Sequence, residues 1–130
     1  MTLGPTPNSY TRDTTSNDLV IASELLKAQQ YDTAQELILT YLDFHPHDEA
    51  AIYLLALLFE EQRRPGAAAN ILAGLVETSE RWEVHHRYGM VLEDLHLGEH
   101  AQAHYAKALE LKPGNKDVLL RVTGVPDRTG

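Results

Sequence analysis

Small residues recur along this chain at a spacing that few folds other than stacked helix pairs can use. Ala34, Ala67 and Ala101 lie 33 and 34 residues apart. Each stands four positions before a larger side chain, Ile38, Ile71 or Tyr105. Residues four apart share one face of a helix, so each alanine and its large partner form a packing stripe. The fullest instance runs from Trp82 to Pro113, WEVHHRYGMVLEDLHLGEHAQAHYAKALELKP. Its fixed points are His85, Tyr88 with Gly89, Leu92, Ala101, Tyr105 and Pro113. They predict two amphipathic helices joined by a tight turn and closed by a proline.

Sliding this frame back organises the rest. Leu19, Ile21, Ala22, Leu25 and Leu26 recur at helical spacing, with Ser16 or Asn17 as a cap. Gln29-Gln30-Tyr31 is the expected turn. Asp32 is expected to open the next helix with Gln35 as capping-box partner, and Ala34, Leu37, Ile38, Tyr41 and Leu42 form its apolar face up to Pro46. Pro46 precedes Pro113 by 67 residues, about two repeats of ~34. Between them Asp48 caps a helix with Ala51, Leu54-Leu55 and Leu58 in frame. Arg63-Arg64-Pro65-Gly66 turns the chain, with Pro65 suited to a first helical turn. Ala67, Ile71 and Gly74 take the packing positions, and Ser79 stands where the proline would be. After Gly114 and Asn115, Lys116 to Val122 reads as a short covering helix. The expected organisation is a disordered or loosely docked tail (1–15), a helical domain (16–123) of units at about 16–47, 48–81 and 82–115 with a cap at 116–123, and frayed residues 124–130.

The skeleton aromatic-x2-apolar-small-x2-apolar, small-x3-aromatic, Pro resembles the tetratricopeptide repeat. His85 replaces the usual Trp, and Leu97-Gly98 sit two residues late for the usual turn glycine. The resemblance implies an all-α fold, a tetratricopeptide-like α-solenoid of three antiparallel helix pairs with a short C-terminal capping helix. It also implies a concave groove lined by the first helix of each pair, which receives a peptide or helix of a partner protein. The groove positions it implies are Leu19, Ser23 and Leu26, then Ile52, Ala56 and Phe59, then His86, Met90 and Glu93, with Arg87 orienting a polar partner group. The lining is mainly apolar with Glu49, Glu83 and Glu93 near its rim, so the expected partner is apolar with basic margins. A subset of the family clamps a peptide carboxylate with Lys, Asn and Arg. Here only Arg87 matches, so that mode is not expected. Small acidic three-repeat chaperones of bacterial secretion systems share the gross architecture, a likeness of fold rather than of site.

Composition narrows the function classes. A net charge of -8 and a pI near 5.2 disfavour nucleic acid and anionic membrane as partners. There is no cysteine, hence no disulfide and no thiol catalysis. No apolar run reaches membrane-spanning length and no secretory signal is visible, so a soluble, cytoplasmic protein is expected. No nucleophile-elbow, phosphate-loop, zincin or dinucleotide motif occurs. The expectation is a non-catalytic protein with no cofactor: an adaptor, scaffold or small chaperone. Self-association is the alternative, through apolar surface near Leu109, Leu111 and Leu119. A weaker alternative is metal binding by histidines, seven in all. Of these, His96, His100 and His104 are spaced by four and lie near His85-His86, although solvated outer-face side chains account for them more simply.

Overall fold

The computed structural model describes residues 17–123, and the expected tail (1–15) and final segment (124–130) lie outside them. The described residues form seven α-helices and no strand: α1 (17–27), α2 (Tyr31–Phe44), α3 (Glu49–Glu61), α4 (Pro65–Leu75), α5 (Trp82–Asp94), α6 (Gly98–Leu111) and α7 (Lys116–Thr123). They build three antiparallel pairs, α1–α2, α3–α4 and α5–α6, stacked in chain order with α7 laid on α6.

The turn inside each pair has the same chemistry. Gln29, Arg63 and His96 all adopt left-handed backbone, with φ of 63°, 62° and 65°. The next amide in each turn (Gln30, Arg64, Leu97) donates to the carbonyl five residues back (Leu25, Phe59, Leu92), each at 2.8 Å. This is a Schellman closure without its usual glycine, and it satisfies carbonyls that the helix end would orphan. It costs each non-glycine residue left-handed strain.

Counting from these three residues puts every pair in one register. Seven positions before them stand Ala22, Ala56 and Gly89, all buried. Five positions after stand Ala34, Ala68 and Ala101, fully buried, and nine after stand Ile38, Leu72 and Tyr105, also fully buried. Small side chains thus meet where the helices of a pair approach, and a large one fills the space beside them. The middle unit therefore runs one residue later than its expected frame. Ala68 and Leu72 are the packing residues, whereas Ala67 and Ile71 are half-buried and Gly74 is exposed. The physical reason is the turn: Arg63 and Arg64 complete the closure, so α4 begins at Pro65, whose missing N–H is harmless there.

Two local expectations also change. α2 begins at Tyr31, because a single residue separates it from the left-handed Gln29. Asp32 is therefore already inside the first turn and caps nothing, and its charge instead faces the positive end of the helix dipole. Asp48 does cap α3, accepting from the Ala51 amide at 3.0 Å while its other oxygen accepts from the Tyr41 hydroxyl at 3.0 Å.

Successive pairs stack through a second set of positions. Val84 and Val91 of α5 bury against Ala68, Leu72 and Leu75 of α4. The equivalent residues of α3, Ala51 and Leu58, are fully buried, Leu58 in the core with α1 and α2. α7 repeats this stacking. Val118 lies 34 residues after Val84 and is fully buried against Leu92, Ala101, Tyr105 and Ala108. α7 thus sits where the first helix of a further pair would sit.

Candidate partner-binding surface

The first helices α1, α3 and α5 carry the candidate surface. Their register decides which side chains share a face. In α5 the positions are His86, Met90 and Glu93, all half-buried, and in α1 they are Leu19, Ser23 and Leu26. The residues of α3 at the same distances from the turn are Tyr53, Leu57 and Glu60, which are also half-buried. Ile52, Ala56 and Phe59 stand one residue away from this row. Ala56 is fully buried at the crossing with α4, and Phe59 packs into the cores of both the first and second pairs while Arg64 stacks on its ring at 4.8 Å. Leu26 is buried among Ala22, Ala34 and Ile38. Leu26 and Ala56 therefore offer a partner almost nothing. The sequence hides Tyr53, Leu57 and Glu60, because Ala67, Ala68 and Ala69 fit the middle spacing almost equally well. The conformation of the turn supplies the missing signal.

Polar groups form a ladder along the same face. Arg87 lies 3.4 Å from Glu60 Oε1 and its Nε lies 3.5 Å from the Tyr53 hydroxyl. One unit further, Arg121 lies 2.7 Å from Glu93 Oε1, and the Tyr105 hydroxyl donates to the same oxygen at 2.7 Å. Glu60 and Glu93 occupy one register position and Arg87 and Arg121 another, 34 residues apart. Arg87 is thus committed to the ladder. Burial pushes the Glu60 carboxyl up, against the opposing pull of Arg87, and its Oε2 is buried without a hydrogen-bond partner. The Tyr105 hydroxyl is pushed well up, first by burial and then by its bond to Glu93.

A second network crosses the junction between the second and third pairs. The buried Ser79 donates to Glu49 Oε1 at 3.0 Å, and its carbonyl accepts from His85 Nε2 at 3.0 Å. Arg81 lies 3.4 Å from the same Glu49 oxygen. Ser79 and His85 stand where the tetratricopeptide skeleton has its proline and aromatic, and the His85 ring bonds the Ser79 backbone.

Shallow clefts flank the first helices. One of about 320 Å³ is lined by Glu60, Arg63, Pro65 and Asp94. One of about 270 Å³ is lined by His47, Glu49, Ile52, Ile71, Gly74, Leu75 and Thr78. Among the described residues no three His, Asp or Glu side chains converge as a metal site. His96 occupies the left-handed turn, so it does not continue the face of His100 and His104. His104 is half-buried against Tyr88 and His85, not a solvated outer-face residue. No described helix is long and apolar enough to cross a membrane.

No family model matches the sequence, and no curated protein does. Solved structures do match its backbone. The type III secretion translocator chaperone SycD of Yersinia enterocolitica superposes with a TM-score of 0.74 at 17% identity, covering 85% of this chain and 87% of that one. PcrH, in complex with the chaperone-binding region of PopB, gives 0.73 at 14% identity over 85% of this chain and 93% of that one. MamA (AMB-1) gives 0.68 at 21% identity over 83% of this chain and 64% of that one. The fold is a tetratricopeptide-like helical array. At these identities the likeness concerns the fold alone.

Proposed function

We propose that this protein is a non-catalytic adaptor or small chaperone that holds a peptide or amphipathic helix of a partner protein against the concave face of α1, α3 and α5. The observation that carries the reading is the row of half-buried side chains in one register: Leu19 and Ser23, Tyr53 and Leu57, His86 and Met90. A face that pairing and stacking leave partly uncovered, with apolar residues at each level, suits an apolar segment. Glu60 and Glu93 at its edge and a net charge of -8 favour a partner with basic margins. Two structures with similar folds are described as a translocator chaperone and as a complex with a chaperone-binding region, which supports the same class of role. Photo-crosslinkers placed singly at Ser23, Tyr53, Met90 and the exposed Ala106 of α6 test it. The expected result is one adduct of the same mass from the first three positions and none from Ala106. Adducts from Ala106 alone, or different adducts from each position, would contradict it.

Self-association is a second reading, favoured by the exposure of Phe44 (77%) and Val20 (59%) in the first pair. These are larger apolar exposures than that of Leu119 (44%) near the end of the array. Light scattering over a concentration series would then report a dimer that Phe44→Glu returns to monomer. A monomer throughout would dispose of this reading.

A further inference from the structure

The third pair differs from the others in what its core contains. His85 is 3% exposed. Its Nε2 donates to the Ser79 carbonyl, which leaves Nδ1 bare, buried and without a hydrogen-bond partner. A buried ring nitrogen of this kind, once protonated, becomes an N–H that has no acceptor. From α6, His104 stacks on His85 with ring centroids 6.3 Å apart and packs in a T-shape with the Tyr88 ring, centroids 4.5 Å apart. His86, on the other side of α5, lies between the Trp82 ring at 5.7 Å and the Tyr105 ring at 6.0 Å, its Nε2 buried and unpartnered. Three imidazoles thus pack within the third pair, and the surroundings of His86 and His104 favour their neutral forms.

We propose that the third helix pair is an acid-sensitive clasp, in which protonation of His86 and His104 loosens α5, α6 and α7 while α1 to α4 stay packed. The charged neighbours mostly reinforce this. His104 faces His85 from α5 and His100 along its own helix, so charge on one opposes charge on the others. His86 faces Arg121 of α7 and Arg87 of α5, both repelling its proton, with Asp117 and Glu93 opposing them. Lys112 adds a further cation over the Trp82 ring at 5.3 Å. Across the junction, His85 meets Ser79, whose hydroxyl is held by Glu49 beside Arg81. Glu60 of α3, bound to Arg87, is the main counterweight. Its carboxyl, pushed up by burial against the pull of Arg87, favours the folded chain as pH falls.

The sign follows from the ring environments. Burial is the leading cause that holds His86 and His104 below the ordinary 6.5, followed by the neighbouring cations and imidazoles. The opened pair binds protons from pH 6.5 downward, whereas the packed pair does not until a lower pH. The stability these neutral rings provide is therefore complete above 6.5 and is lost as pH falls from there toward their packed values. Each unit of depression multiplies the opened population by about tenfold.

Trp82 is the single tryptophan of the chain and lies inside the clasp. Its acrylamide quenching and the far-UV helix signal, followed together from about pH 7.5 to about pH 5.5, test the proposal. Quenching is expected to rise roughly twofold or more in the wild type while most of the helix signal stays. The rise should vanish in the His86→Gln/His104→Gln double variant and persist in His47→Gln, which alters an exposed loop histidine. Should the double variant fail to fold, titration of the imidazole C–H resonances of the wild type decides, with His86 and His104 expected below 6.5. Quenching that is flat in the wild type, equal in the double variant, or matched by loss of the entire helix signal would overturn it, as would ring titrations at or above 6.5.

Discussion

The second and third helix pairs share one backbone register and fill it with opposite chemistry. In the second, Ala56 meets Ala68 and Leu72, and the buried residues of the core are all aliphatic. In the third, Gly89, Ala101 and Tyr105 hold the same positions, with His85 and His104 alongside. A Cβ on Gly89 would meet the Tyr105 ring, with Cδ1 at 2.7 Å and Cζ at 2.9 Å. The glycine is there because the aromatic is there. The turn geometry thus fixes where the helices cross, while the side chains decide only how that crossing is packed. They also decide its pH response, since the second pair has no imidazole in its core.

The comparison can be broken most forcefully at the crossing itself. Gly89→Leu should cost about 3 kcal/mol or more in urea melts, since the Tyr105 ring is walled in and cannot retreat. Gly74→Ala, in a helix but with open space where its Cβ would point, should instead gain up to ~1 kcal/mol. Equal effects at the two glycines would show that the close approach is misplaced. Tyr105→Phe comes next. It removes the hydroxyl from Glu93 and should cost about 1–2 kcal/mol. The equivalent change has no counterpart in the second pair, where Leu72 stands. Arg121→Ala should cost about 1 kcal/mol, because its ion pair is partly exposed, and should lower hydrogen-exchange protection in α7 before any other helix. The smallest effect runs the other way. Gln29→Gly, Arg63→Gly and His96→Gly should each stabilise by ~0.5–1 kcal/mol, because glycine adopts left-handed backbone freely, and the three gains should be alike.

Much of this was legible before any coordinates. The six paired helices, the short covering helix, the Asp48 cap and Pro65 at a helix start all follow from apolar spacing and end chemistry. The third pair could be read residue by residue because Gly89, Tyr105 and Pro113 are distinctive. The middle pair could not. AAAN and LLALL offer several equivalent alanines and leucines, so periodicity alone tolerates a slip of one position, and only the left-handed Arg63 settles it. That slip matters for the candidate surface, since it exchanges Ile52, Ala56 and Phe59 for Tyr53, Leu57 and Glu60. A Phe59→Glu variant would on this register disrupt two cores rather than report on binding. The Glu60–Arg87 and Glu93–Arg121 ladder was illegible for a different reason. Its partners lie 27 and 28 residues apart on different helices, beyond what the spacing within one helix can relate.

The register also sets which residues a partner would meet, so it is the point to test directly. Urea denaturation of Ala67→Leu and Ala68→Leu, measured side by side, compares neighbours that differ only in this respect. The account predicts a loss of about 2–3 kcal/mol at Ala68 and less than about 1 kcal/mol at Ala67. The reverse order, with Ala67 the intolerant position, would contradict it.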